Sequence, residues 1–83
     1  MSFRTWLGLD RDGSCNVYRG YRAGVDWFAI RAWDDGLVEW AQPNREWRPI
    51  EAMTPEERRV AMVLTWEPRL PKDVMRIVRG ERA

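Results

Sequence analysis

Between Val25 and Gln42 the chain reads as two alternating runs around the tripeptide Asp34-Asp35-Gly36, and no other feature limits the fold as much. A three-residue hairpin loop is a type I turn followed by a residue of positive φ, and Gly36 stands at that place. The loop length fixes a register. Trp33 falls opposite Leu37, Ala32 opposite Val38, Arg31 opposite Glu39 and Ile30 opposite Trp40. Opposite charges then meet across the strands, and apolar groups meet each other. A two-residue loop would set Ala32 against Glu39 and Arg31 against Trp40, which is chemically less coherent. Two antiparallel strands follow, Val25 to Trp33 and Leu37 to Gln42.

The flanking sequence extends this pair. Phe3 to Leu9 alternates and reads as a first strand. Asp10-Arg11-Asp12-Gly13-Ser14 supplies a turn, and Cys15 to Tyr21 a second strand. Arg22-Ala23-Gly24 reverses the chain into Val25. Pro43-Asn44 turns it again, and Arg45 to Ile50 would return beside the fourth strand, pairing Trp40 with Trp47 and Glu39 with Arg48. Pro49 has no N–H to donate, so that strand belongs on an edge or ends early.

Beyond residue 50 the period changes. Thr54-Pro55-Glu56-Glu57 is a capping box with proline at the first helical position. The spacing predicts a helix to about Trp66, because Pro68 disfavours helical geometry at Glu67. Val60, Val63 and Leu64 form one apolar stripe of that helix, and Met62 and Trp66 a second. A second helix runs from Pro71 to Arg79, with Gly80 as its terminating glycine. Strands first and helices afterwards predict an α+β domain spanning residues 1–83. It is a four- to five-stranded antiparallel meander (residues 3–50) with two helices (55–66 and 71–79) packed on one face.

Composition narrows the function. The chain has no histidine and one cysteine, Cys15, which excludes zinc fingers, disulfide scaffolds and histidine-based triads. The acidic residues fall mostly in turns, a cap and a cross-strand pair. The expectation is therefore no enzyme, no cofactor and no metal. Asp10 to Ser14 is similar to the start of a calcium loop, but the twelfth position, where a glutamate is needed, is Tyr21. No run approaches the length of a membrane span, and Met-Ser-Phe-Arg-Thr-Trp lacks the apolar stretch of a signal peptide. A cytoplasmic location with no membrane partner is the expectation.

Thirteen of the fourteen cations are arginine, and six residues are tryptophan. Arginine suits carboxylate, phosphate and aromatic partners, although a GC-rich genome would also write arginine for lysine. The predicted register puts Phe28, Ile30, Ala32, Val38 and Trp40 on one sheet face, to be sealed by the helices. Trp27, Ala29, Arg31, Trp33, Leu37 and Glu39 share the other. If that second face is open, Trp27 and Trp33 surround Arg31, with Arg19 adjacent, as an aromatic and arginine surface suited to a partner. The plainer alternative is that the indoles fill a small core. The second helix presents Arg69, Lys72, Arg76 and Arg79 along one side, which is either a solvated face favoured by the helix dipole or an electrostatic footprint.

The candidate partner-binding residues are thus Arg19, Trp27, Arg31, Trp33, Trp66, Arg69, Lys72, Arg76 and Arg79. They imply a non-catalytic protein-binding module. A phage or mobile-element inhibitor of a host defence complex, such as a CRISPR effector, is the specific form considered, and a homodimer through the aromatic face is another. The alternative is a single-strand nucleic-acid binder that stacks bases on the open sheet. A net charge of +1 argues against it, since phosphate neutralisation dominates such affinity.

Overall fold

A computed structural model of the chain describes residues 15–81. The expected first strand Phe3 to Leu9, the turn after it and Trp6 lie outside the described residues. The described chain forms β1 (Cys15–Arg22), β2 (Val25–Trp33), β3 (Val38–Ala41) and β4 (Arg48–Pro49), then a 3-10 turn (Ile50–Ala52). It continues with α1 (Pro55–Val63), β5 (Thr65–Glu67) and α2 (Lys72–Arg79). The result is an α+β fold with one antiparallel sheet in the order β4-β3-β2-β1-β5.

The central hairpin has the register its loop length dictates. Ala32 pairs with Val38, Arg31 with Glu39 and Ile30 with Trp40. Trp33 N–H donates to the Leu37 carbonyl at 2.8 Å, and Gly36, at φ 92°, donates back to Trp33 at 3.0 Å. The β1–β2 turn is Ala23-Gly24, with φ of 53° and 75°. Positive φ at both central residues is the turn whose twist matches paired strands.

The β3–β4 pairing differs from expectation by one residue. Trp40 faces Arg48 and Glu39 faces Pro49. Asn44 takes a φ of 61° in a turn closed by Arg45 N–H on the Gln42 carbonyl at 3.1 Å, and Glu46-Trp47 follow before pairing begins. A slip of one residue turns every side chain to the other face. Trp47 therefore leaves the face of Trp40 and joins that of Arg31.

The core forms between the sheet and the helices. Phe28, Ile30, Val38 and Trp40 from the sheet meet Leu64, Leu70, Val74 and Val78 beneath the helices. Phe28 and Trp40 pack edge to face, with centroids 5.6 Å apart. This is the face the alternation assigns to the core.

Both helices are fixed by their ends. Thr54 accepts from Glu57 N–H at 3.2 Å, and the Glu57 carboxylate accepts from Thr54 N–H at 2.8 Å. Gly80, at φ 87°, closes α2 with Gly80 N–H on the Ile77 carbonyl and Glu81 N–H on that of Arg76, both at 3.0 Å. Arg58 on α1 reaches across to donate to the carbonyls of Val78 (2.8 Å), Ile77 (3.0 Å) and Ile50 (3.0 Å). The last carbonyls of a helix lack intrahelical donors and carry partial negative charge, so a guanidinium suits them.

The first helix is shorter than predicted. It ends at Val63, and Trp66 stands on β5 rather than on the helix. Leu64 is extended (φ −78°, ψ 157°), which carries Trp66 to the edge of β1 opposite Gly20. The indole lies across the glycine: a β-carbon there would sit 2.7–2.9 Å from three of its ring atoms. Its N–H donates to the Ala61 carbonyl at 2.9 Å, one of the end carbonyls of α1. Val63, expected in one of the two apolar stripes of that helix, is 59% exposed.

Candidate functional site

Two surfaces carry the residues singled out by the sequence. On the sheet face away from the helices, Arg31 lies with its guanidinium 4.2 Å from the Trp47 ring and 5.0 Å from the Trp33 ring. One oxygen of Glu39 accepts from both Arg31 Nε at 2.9 Å and Trp33 Nε1 at 2.7 Å. Arg31 is 7% and Trp33 6% exposed. Beneath them Val17 and Trp47 pack on the fully buried Ala29. The expected exposure of Arg31 and Trp33 is thus corrected. The slipped register of β4 brings Trp47 to this face, and Glu39 satisfies both polar groups, so they form a second small core.

Trp27 remains exposed, at 47%. Strict alternation places it beside Arg31, but the pairing shifts between Gly20 and Tyr21. Gly20 faces Phe28, Tyr21 faces Asp26, and Trp27 is the extra residue of a bulge. Arg19 is half-buried and engaged with its neighbours. It hydrogen-bonds Asp26, lies 3.8 Å from Glu67 and stacks 4.2 Å from the Tyr21 ring. The Tyr21 hydroxyl donates to Glu67. That hydrogen bond to a carboxylate, aided by desolvation and by the Glu67 charge, raises the phenol above its ordinary 10.0, with Arg19 opposing.

The second surface lies along the outer sides of the two helices. One hollow of about 440 Å³ is bounded by Met62, Trp66, Arg69, Leu70 and Met75. Another of about 330 Å³ is bounded by Pro55, Arg58, Arg59, Met62 and Arg79. Met62 lines both, so the two hollows adjoin at that side chain along the seam of α1 and α2, as two parts of a groove. The helix period explains the lining. On α2, Val74 and Val78 point inward, Met75 and Arg79 lie one step round, and Lys72 and Arg76 face outward. On α1, Ala61 points inward while Met62 and Arg59 lie toward the groove. Arg59, Arg69, Lys72, Arg76 and Arg79 are exposed; Arg79 pairs with Glu81 at 3.1 Å.

Of the nine candidates, the structure brings Trp66, Arg69 and Arg79 to the groove and leaves Lys72 and Arg76 on the adjoining face. Arg19, Trp27, Arg31 and Trp33 belong to the sheet. Sequence reasoning missed Arg59 and Met75. Met75 is legible on a helical wheel as the flank of the Val74–Val78 stripe, whereas Arg59 becomes relevant only once α1 packs beside α2.

Among the described residues no three His, Cys, Asp or Glu side chains cluster as metal ligands. Nor is any helix among them long and apolar enough to cross a membrane. Comparison with protein-family models, curated proteins and solved structures returned no match, so the site is read from its own geometry.

Proposed function

We propose that the chain is a non-catalytic protein-binding module that engages its partner through the groove between α1 and α2. The single observation that carries this reading is the groove itself: half-buried methionines and a tryptophan on its walls, arginines along its rim. Methionine is unbranched and repacks against varied apolar surfaces. Arginine and tryptophan are the residues over-represented where binding energy concentrates. The nucleic-acid alternative needed an open aromatic sheet, and Arg31 and Trp33 are engaged with Glu39 and Trp47 instead.

The narrower form, a phage or mobile-element inhibitor that occludes a host defence complex such as a CRISPR effector, adds a partner identity. An arginine-heavy composition, which fits a GC-rich bacterium or one of its phages, is consistent with that source, and the groove chemistry bears on the broader reading only. Affinity capture with three proteins tests the broader reading: wild type, Met75→Glu in the groove and Trp27→Ala on the sheet. A stoichiometric, nuclease-resistant partner retained by Trp27→Ala and lost by Met75→Glu is the expected result. Loss with Trp27→Ala and retention with Met75→Glu, or no stoichiometric partner at all, overturns it.

A further inference from the structure

The geometry points to an acidic segment of a partner protein, anchored by apolar side chains, as the occupant of the helix groove; this deepens the binding reading above and rests on it. Charge complementarity carries the choice. Arg58, Arg59, Arg69 and Arg79 border the two hollows; Arg58 is held by backbone carbonyls and Arg79 by Glu81, which leaves Arg59 and Arg69 as the exposed rim cations, and among the described residues no acidic side chain lines either hollow. The hollow on the other side of α2, beside Gly36 and Ile50, has Glu51 and Glu81 in its wall and lacks this one-signed rim. The asymmetry comes from Glu51 in the 3-10 turn and Glu81 just beyond the end of α2, both in the wall of that other hollow.

The walls add the second requirement. Met62 and Met75 are half-buried and pack against the main core, so an apolar side chain entering the groove continues that core outward. Arg59 and Arg69 flank them at opposite hollows. A segment that seats apolar residues on the methionines and sets carboxylates beside these guanidiniums matches both features. A nucleic acid matches less well. Among the described residues the one aromatic ring in the groove is Trp66, which rests on Gly20 with its N–H held by Ala61, so a strand of bases would have a single ring to stack on.

Methyl-labelled methionine gives a local readout, because Met53 is buried in the core and serves as an internal control. Two synthetic helical peptides share leucines at helical spacing; one carries glutamate and the other lysine at the remaining positions. The glutamate peptide is expected to move the Met62 and Met75 methyl resonances and leave Met53 in place. The lysine peptide should move none of them. Arg59→Glu and Arg69→Glu, both at exposed positions, should each weaken the glutamate peptide by about 2- to 5-fold or more, the scale of a rim ion pair. Equal shifts with the lysine peptide, shifts with oligothymidine or anionic vesicles but not the glutamate peptide, or no shift with any probe, overturn the proposal. The two readings fail separately. A partner lost by Met75→Glu but indifferent to Arg59→Glu and Arg69→Glu keeps the groove and removes the acidic segment. Peptide binding at Met62 and Met75 without a captured partner keeps the acidic preference of the groove and removes the cellular partner.

Discussion

Gly20→Ala should destabilise the protein through one side chain, the indole of Trp66. An added β-carbon would meet three ring atoms at 2.7, 2.8 and 2.9 Å, distances that real β-carbons do not occupy. The three atoms, Cζ3, Cη2 and Cζ2, form the outer edge of a rigid ring, so the indole must move as a body. Its N–H is fixed to the Ala61 carbonyl at 2.9 Å, and that bond weakens with any such shift. Overpacking of this kind costs about 1–3 kcal/mol, and loss of the hydrogen bond adds about 1 kcal/mol. Restricting the unfolded chain returns roughly 0.4–1 kcal/mol. The expected net loss is about 2 kcal/mol, or a fall in Tm of roughly 8–16 °C for a domain of this size. Urea and thermal denaturation should be run on wild type, Gly20→Ala, Trp66→Leu and the double variant. In the Trp66→Leu background, Gly20→Ala should cost nothing or stabilise slightly, because the ring is gone. An equal cost in both backgrounds, or no cost in the wild type, would refute the reasoning.

Three further outcomes follow from the same structure. Glu39→Gln takes from the buried Arg31 and Trp33 the carboxylate oxygen they share, which should cost about 3 kcal/mol in denaturant; Arg31→Met combined with Glu39→Leu should recover most of it. Ala23→Asn places a residue tolerant of positive φ at a position held at 53°, and should raise stability by about 1 kcal/mol in thermal unfolding. The raised Tyr21 phenol favours the protonated folded state, so its contribution is fully present below pH 10.0 and is lost as pH rises through the folded-state value. Tyr21→Phe should flatten that alkaline decline, and an unchanged decline would contradict the assignment.

The parts of this fold legible in the sequence are those set by local chemistry. Asp34-Asp35-Gly36 fixes a loop length, and the pairing of Arg31 with Glu39 follows from it. Thr54 and Glu57 mark the start of α1, and Gly80 the end of α2. The helix stop at Val63 is different. Nothing in Leu64-Thr65-Trp66 forbids another turn; the stop comes from β1, which offers Trp66 an edge to pair with and a glycine to lie on. The bulge at Trp27 likewise breaks a period of two that the side chains alone suggest.

The candidate site divides in the same way. The basic side of α2 is readable as residues spaced along one helix, and three of the expected residues reach the groove. The aromatic patch is not, because whether a sheet face is open depends on what crosses it. One residue of slip between β3 and β4 sends Trp47 over Arg31 and closes a surface that alternation leaves exposed. Arg59 and Met75 become neighbours of a common groove only through the packing of α1 beside α2, for which no sequence spacing exists.

Photo-crosslinking in cells tests the central claim most directly, with a crosslinking residue placed at position 75 in the groove or at position 27 on the sheet. A single discrete protein adduct from position 75, absent from position 27 and suppressed by Arg59→Glu with Arg69→Glu, is the predicted result. An adduct confined to position 27, or formed at position 75 without regard to the arginines, would contradict it.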